Sequence, residues 1–255
     1  MKRTPGTLAR GFVQSALFGF SCAAILASGS AIAQMGGGGG MKAMVQQKLE
    51  AIKTTSAENQ KKLHQYTWTE TSSITANGRD MPPKVSNCFY GPDGKVHKTP
   101  VGDTTETTAS SGRRGGRFMQ RIKEKKTAEM KDYMAQVSGV IKLYVPPSPE
   151  RMQKAFEAHK VSFNKNGGNV DLVFKDYALA GDSMTIDFDT ASKKIRSLSV
   201  KSWLDTPQNP VTLHVDFATL PDGTNHPSRT TLDARGQDIV EVTSVNSNYR
   251  KASGF

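Results

Sequence analysis

The spacing of apolar residues changes several times along the chain, and each change predicts a change of secondary structure. Apolar residues at helical spacing predict a helix over 41–63. Over 66–74, aromatic and β-branched residues alternate with polar ones at a period of two, which favours a strand. Helical spacing returns over 118–144 and ends before Pro146, and a short helix should begin at Pro149, which suits a first helical position.

The rest of the chain alternates apolar and polar residues between short turns, which is typical of an antiparallel meander. Strands are predicted at 66–74, 84–90, 95–99, 170–177, 183–189, 194–204, 211–220, 228–234 and 239–249. The helices have apolar faces that need cover, and one face of the sheet offers it. We therefore expect an α+β fold, with a strongly curved antiparallel β-sheet (a half-barrel of about nine strands) whose concave face is covered by an N-terminal helix and a mid-chain helical insertion.

The first 33 residues have the pattern of a secretion signal. Basic residues at positions 2, 3 and 10 precede an apolar stretch over 11–27, and small residues at 31 and 33 permit cleavage after Ala33. A membrane anchor is the alternative, but polar residues interrupt the stretch, which makes it a poor span of ~20 apolar residues. We expect a periplasmic or secreted protein, and acylation of Cys22 stays open as a second way of processing the leader.

The remaining chain is predicted to form one domain over 41–250, after a Gly-rich flexible leader at 34–40. A polar stretch at 100–117, rich in Thr, Ser and Gly, is typical of a mobile loop. After cleavage Cys88 is the one cysteine left, so an intramolecular disulfide is excluded and an apolar core must hold the domain.

The chain has a net charge of +11, and removal of the three basic residues of the signal leaves +8, which suits an acidic surface. A basic segment is the candidate contact with an anionic membrane surface, and it comprises Arg113, Arg114, Arg117, Arg121, Lys123, Lys125 and Lys126. The alternative is a solvated loop and helix face. We do not expect nucleic acid as a partner, because export argues against it and no aromatic residues alternate with these arginines for base stacking.

The order of elements, with a strand that begins Tyr66-Thr67-Trp68, resembles the LolA and LolB type periplasmic lipoprotein carriers. Two segments, 90–95 and 220–224, also resemble recurrent stretches of secreted bacterial proteins of unassigned role. The resemblance implies an open half-barrel with a hydrophobic cavity for acyl chains. It extends over about 41–249 in element order, without a motif onto which a functional residue of the carriers can be mapped. The Gly- and Arg-rich loop before the mid-chain helix departs from the carriers.

We expect a non-enzymatic binding protein that carries or senses a lipid or a lipidated ligand. The candidate cavity residues are Tyr66, Trp68, Ile122, Met130, Met134, Val137 and Phe156. The sequence contains no nucleophile elbow, phosphate-binding loop or paired histidine ligands, so no catalytic residue, metal or cofactor is predicted. The alternatives are an envelope protein-protein interaction or scaffold domain with a packed interior and, third, a hydrolase with an unrecognised site.

Overall fold

The computed structural model describes residues 54–55, 57–102, 116–236 and 238–252, and its account of the side chains of the second helix begins at Lys125. Within this part of the chain the helices are α1 (helical residues 57–63), α2 (Gly116–Ile141) and α3 (Pro149–Glu157). The strands are β1 (Tyr66–Ala76), β2 (Arg79–Asp80), β3 (Lys84–Tyr90), β4 (Val96–Pro100), β5 (Val161–Asn166), β6 (Asn169–Lys175), β7 (Ser183–Asp189), β8 (Lys194–Trp203), β9 (Pro210–Thr219), β10 (Asn225–Arg235) and β11 (Ile239–Lys251).

All described strands belong to one open sheet in the order β4-β3-β1-β11-β10-β9-β8-β7-β6-β5, with β2 paired to β1. Each pairing among the described strands is antiparallel, as expected for strands joined by short turns. The chain thus enters the sheet near one edge, crosses to the other edge through the helices, and returns strand by strand until β11 lies beside β1. The α+β class and the antiparallel sheet are confirmed.

The sheet has 11 strands, so the predicted number of about nine is too low. One missed strand, β2, has two residues and forms a hairpin with the end of β1 around Asn77-Gly78. Both turn residues have positive φ, as Asn and Gly readily adopt. The other, β5, is a mostly exposed edge strand with too little alternation to be recognised.

The helical insertion begins at Gly116, inside the loop predicted at 100–117, and Pro100 is the last residue of β4, so both ends of that prediction are wrong. The middle of the predicted loop, 103–115, lies outside the described residues, as do the predicted signal, the leader and the start of the N-terminal helix. The α1 helix ends at residue 63, where its periodicity ended.

The main core lies between α2, α3 and the β5–β11 part of the sheet, and Ile74 of β1 packs against it. Its central side chains, Val137, Tyr144 and Phe174, are fully buried. The α3 helix begins as predicted, since Pro149 opens it and the Ser148 hydroxyl accepts a bond from the amide of Arg151 at 3.4 Å. The apolar interior of this half of the fold is therefore filled by the protein's own side chains.

A buried carboxylate attaches the helical insertion to the sheet. Asp182, just before β7, accepts a hydrogen bond from the hydroxyl of Tyr144, three residues after α2. The Tyr144 hydroxyl also lies 2.8 Å from the Ser202 hydroxyl on β8. Nearby, the amide of Ser148 donates to the hydroxyl of Tyr177 at 2.6 Å. These bonds fix the α2–α3 connection against β8 and the β6–β7 connection.

Candidate functional site, an aromatic pocket between α1 and the sheet

The sheet divides between β10 and β11, and the candidate site lies at this division. Pairing of the two strands runs from Arg235–Ile239 to Arg229–Val245 and stops there. Beyond this point the remaining residues of β11 are still paired with β1, and the first residues of β10 are paired with β9. Ring centroids of His226 and Tyr249, from the separated parts, are 4.1 Å apart, so the two rings occupy the division.

A β-bulge in β11 determines which side chains enter this site. The register with β1 shifts between Thr67 and Thr69, and Asn248 opposite them has a left-handed φ of 55°. An extra residue in one strand reverses the faces of the residues that follow it. Tyr249 therefore stacks on the inward-facing Trp68, whereas Arg250 lines an open groove on the other face of the sheet.

Three aromatic rings form the walls of the site. Trp68 stacks on Tyr249 with ring centroids 5.6 Å apart and planes 11° apart, and it lies 5.4 Å from Tyr90 on β3. On its outer side Tyr90 stacks against His64, 4.3 Å away and just beyond α1. Leu63 packs into the same cluster, which is separate from the main core. Such offset and tilted ring pairs add stability beyond their buried area.

We call the space that these rings enclose the aromatic pocket. It has a volume of about 20 Å³, and its lining consists of Leu63, Trp68, Glu70, Tyr90, Val96, Pro227, Thr230, Ser244, Asn246 and Tyr249. Two buried polar atoms of this lining, Nε1 of Trp68 and Oδ1 of Asn246, have no hydrogen-bond partner. Because buried polar atoms are nearly always paired in folded proteins, an unpaired donor and acceptor in one pocket indicate a place for a polar partner, either a water molecule or a polar group of a ligand.

A buried ion pair lies at the wall of the aromatic pocket. Glu70 is 7% exposed, and the ammonium of Lys98 donates to both of its carboxylate oxygens, at 2.6 and 2.8 Å. Lys98 is on β4 and reaches Glu70 on β1 across the small Ser86 and Cys88 of β3. Burial, followed by the negative charge of Glu70, raises the pKa of the Cys88 thiol to about 11.

The described end of α1 lies at the pocket, and the side chain of Asn59 bonds it to the sheet. The amide group of Asn59 donates to the carbonyl of Asn225 at 2.6 Å and accepts from the Asn225 backbone amide at 2.5 Å. This paired contact reproduces the bonding of a neighbouring strand at the exposed start of β10. The described part of α1 adds Leu63 and the contact of His64 with Tyr90.

Tyr66 lies at the rim of the site. Its hydroxyl donates to the Asp222 carboxylate at 2.6 Å, and the Lys251 ammonium lies 3.3 Å from the same carboxylate oxygen. The hydrogen bond from Tyr66, followed by those from Thr224, holds the pKa of Asp222 far below its usual range. Asp222 lies in the turn Pro221-Asp222-Gly223, and its carboxylate connects that turn to β1.

The six predicted cavity residues whose side chains are described do not lie in one site. Trp68 lines the aromatic pocket and Tyr66 lies at its rim. Met130, Met134 and Val137 belong to the main core on α2, and Phe156 is half-buried on α3. The position of the Ile122 side chain lies outside the description. Alternation predicted the inward direction of Tyr66 and Trp68, but it did not show that they serve a second cluster.

Sequence reasoning missed most of the pocket. Glu70 lies an even number of residues from Tyr66 and Trp68 along β1, so it points to the same face of the sheet. An acidic residue on an otherwise apolar strand face was the sequence signal that could have identified it. Tyr249 carried no such signal, because strict alternation from Val240 would direct it outward and only the bulge reverses it.

The predicted anionic-surface segment remains a prediction. Arg113 and Arg114 lie outside the described residues, and Arg117, Arg121 and Lys123 lie on α2 before its side chains are described. Lys125 and Lys126 are exposed, and Lys125 lies 3.8 Å from Glu129 one turn later. Of the described helices, none is both long and apolar enough to cross a bilayer. Nor do the described residues bring three His, Cys, Asp or Glu side chains together as a metal-binding group.

Comparison with known proteins gives a distant structural likeness. No protein-family model and no curated protein matches the chain. Among solved structures, a DUF1329 family protein from Desulfovibrio piger is similar with a TM-score of 0.38 and 9% sequence identity, over 83% of this chain and 94% of that one. At that score the likeness carries no argument about fold or function.

Proposed function

We propose that the protein is an exported, non-enzymatic binding protein of the cell envelope that carries or senses a lipid or a lipidated ligand. The observation that carries the proposal is the aromatic pocket, with an unpaired indole N–H and an unpaired amide oxygen beside apolar rings. Such a combination suits an amphipathic ligand, since apolar walls supply contact area and a few polar atoms fix orientation. The signal pattern of residues 1–33 supports export.

The ligand must displace α1, because about 20 Å³ is far too small for an acyl chain. Departure of α1 would break the Asn59–Asn225 contact and expose Trp68, Tyr90 and Tyr249 as one apolar surface. The half-barrel curvature expected from the sequence is part of this proposal, since a curved sheet would surround the ligand after α1 has moved. The basic segment, with exposed Lys125 and Lys126, would hold the protein at an anionic membrane.

Native mass spectrometry of the protein, purified from the envelope without detergent, tests the proposal. We expect a mass excess that organic extraction removes and that consists of acyl lipid. Trp68→Ala should lose this lipid, whereas Trp203→Ala, outside the aromatic pocket, should keep it. Asn59→Ala, which releases α1, should raise the rate at which added lipid binds. An unloaded mass that stays unchanged after incubation with lipid vesicles contradicts lipid carriage.

A protein-protein interaction domain is the second candidate, and the filled main core favours it. Val137, Tyr144 and Phe174 leave no room beneath α2 and α3 for a ligand. In that case the helices are permanent cover, and the protein should carry no extractable lipid whether α1 is intact or released by Asn59→Ala.

A further inference from the structure

We propose that the aromatic pocket binds a primary ammonium group of the ligand, and that the ammonium of Lys98 occupies the position of that group when no ligand is bound. The inference rests on the proposed function and names the chemistry of the lipid's polar end, an amine-bearing headgroup. It starts from the Glu70–Lys98 pair, a complete ammonium–carboxylate contact already buried in the pocket wall.

Glu70 requires a cation whenever the pocket is closed. A buried carboxylate without a partner is strongly unfavourable, and removal of one member of a buried pair destabilises more than the pair itself stabilises. A ligand that brings its own ammonium can release Lys98 without leaving Glu70 uncompensated. The exchange replaces one ammonium with another, so Glu70 keeps a cationic partner.

Lys98 is placed to leave. It lies on β4, which is an edge strand of the sheet, and its side chain is 15% exposed, so a rotation about its long side chain takes the ammonium into solvent. Its departure would free the Glu70 carboxylate, which lines the existing cavity.

The geometry favours a primary over a quaternary ammonium. Lys98 donates to both carboxylate oxygens of Glu70, and a ligand –NH₃⁺ reproduces both bonds. A trimethylammonium group has no N–H to donate and would leave the buried Glu70 oxygens without these partners. A phosphate oxygen of the headgroup can then accept a hydrogen bond from the unpaired Nε1 of Trp68.

Calorimetric titration with three soluble dihexanoyl phospholipids tests the inference. The probes are phosphatidylethanolamine, its N-acetylated form, which lacks the ammonium, and phosphatidylcholine. We expect phosphatidylethanolamine to bind at least about tenfold more tightly than either of the others, because hydrogen bonds to charged groups are the strong ones. Glu70→Gln should abolish this preference. Lys98→Met, which removes the internal competitor, should increase the affinity for phosphatidylethanolamine.

Exposed residues supply matched controls, since Glu241→Gln on β11 and Lys84→Met on β3 should leave all three affinities unchanged. Equal binding of ethanolamine and N-acetylated lipid by the unaltered protein would overturn the ammonium inference while lipid binding itself stood. Equal binding of phosphatidylcholine would overturn the assignment to a primary ammonium. Failure of all three lipids to bind would instead count against the proposed function. The comparison within the unaltered protein decides these cases even if a variant does not fold.

Discussion

Replacement of Asp182 by Asn should loosen the helical insertion from the sheet. Asp182 is 2% exposed and accepts from the backbone amides of Tyr177, Ala178 and Leu179 at 2.5, 2.9 and 2.6 Å. It also accepts from the hydroxyl of Tyr144. All four partners are donors, so this position requires acceptors on both sides of the side chain.

Asn has one acceptor oxygen where Asp has two, and its –NH₂ group would face one or more of the hydrogen-bond donors that now bind the carboxylate. At least one backbone amide then loses its partner, and the other bonds lose their charged acceptor. A bond to a charged group contributes about 1.5–3 kcal/mol, and a buried donor left unpaired costs about 1–3 kcal/mol. We expect Asp182→Asn to lower the free energy of unfolding by about 3 kcal/mol. For a domain of this size that corresponds to a decrease in Tm of about 6–12 °C.

Urea and thermal unfolding followed by circular dichroism measure the change, with the exposed Asp132→Asn on α2 as the matched control. Tyr144→Phe removes one of the same bonds to the charged acceptor and should cost about 1.5–3 kcal/mol. Because the two residues share a bond, the double variant should lose less than the sum of the single losses. A stability of Asp182→Asn within about 0.5 kcal/mol of the unaltered protein would refute the role given to this carboxylate.

Three further predictions concern single ionisable groups. Burial raises the pKa of Asp187, whose cross-strand neighbour is Asp171, so its contribution to stability is present at low pH and is lost as the pH rises through its folded-state pKa. Asp187→Asn should therefore raise the free energy of unfolding by about 0.5 kcal/mol at pH 7 but not at pH 3, as measured by urea unfolding. Tyr66→Phe should raise the pKa of Asp222 toward its ordinary value in a carboxyl NMR titration, and an unchanged titration contradicts the assigned bond. Cys88, 1% exposed with a pKa raised to about 11, should react with a thiol reagent at pH 8 only after denaturant is added, and fast labelling of the folded protein would show that the pocket opens readily.

Periodicity and turn chemistry were sufficient to predict most of the sheet. The predicted strands at 84–90 and 183–189 have the observed bounds of β3 and β7, because each lies between clear turn residues and alternates without interruption. Phe188 faces inward, as expected from its parity between two acids. The start of α3 followed from Ser148 and Pro149, since capping is a local interaction that adjacent residues determine.

The site was less accessible to sequence reasoning, because non-local contacts assemble it. Tyr249 is inward only through a bulge, and its neighbour Trp68 is far away in sequence. Periodicity ranked Met134 and Trp68 together as apolar residues on inward faces, yet they belong to separate clusters. The pairing of Lys98 with Glu70 across β3 depends on strand order, which no local pattern specifies.

The contrast between the two clusters bears on where function resides. The main core is apolar and filled, and the one acid that stabilises its edge, Asp182, is satisfied by four donors. The aromatic pocket instead contains a buried ion pair and two unpaired polar atoms. A buried ion pair is a weak means of stabilising a fold, since well-packed apolar residues of similar volume often do as well or better. Unpaired polar atoms are unfavourable outright. Both features lie in the cluster that the described end of α1 contacts, and they fit the ligand recognition that we propose. Substitutions in the main core should accordingly change the free energy of unfolding without changing which headgroup is preferred, whereas substitutions at Glu70 or Lys98 should change that preference.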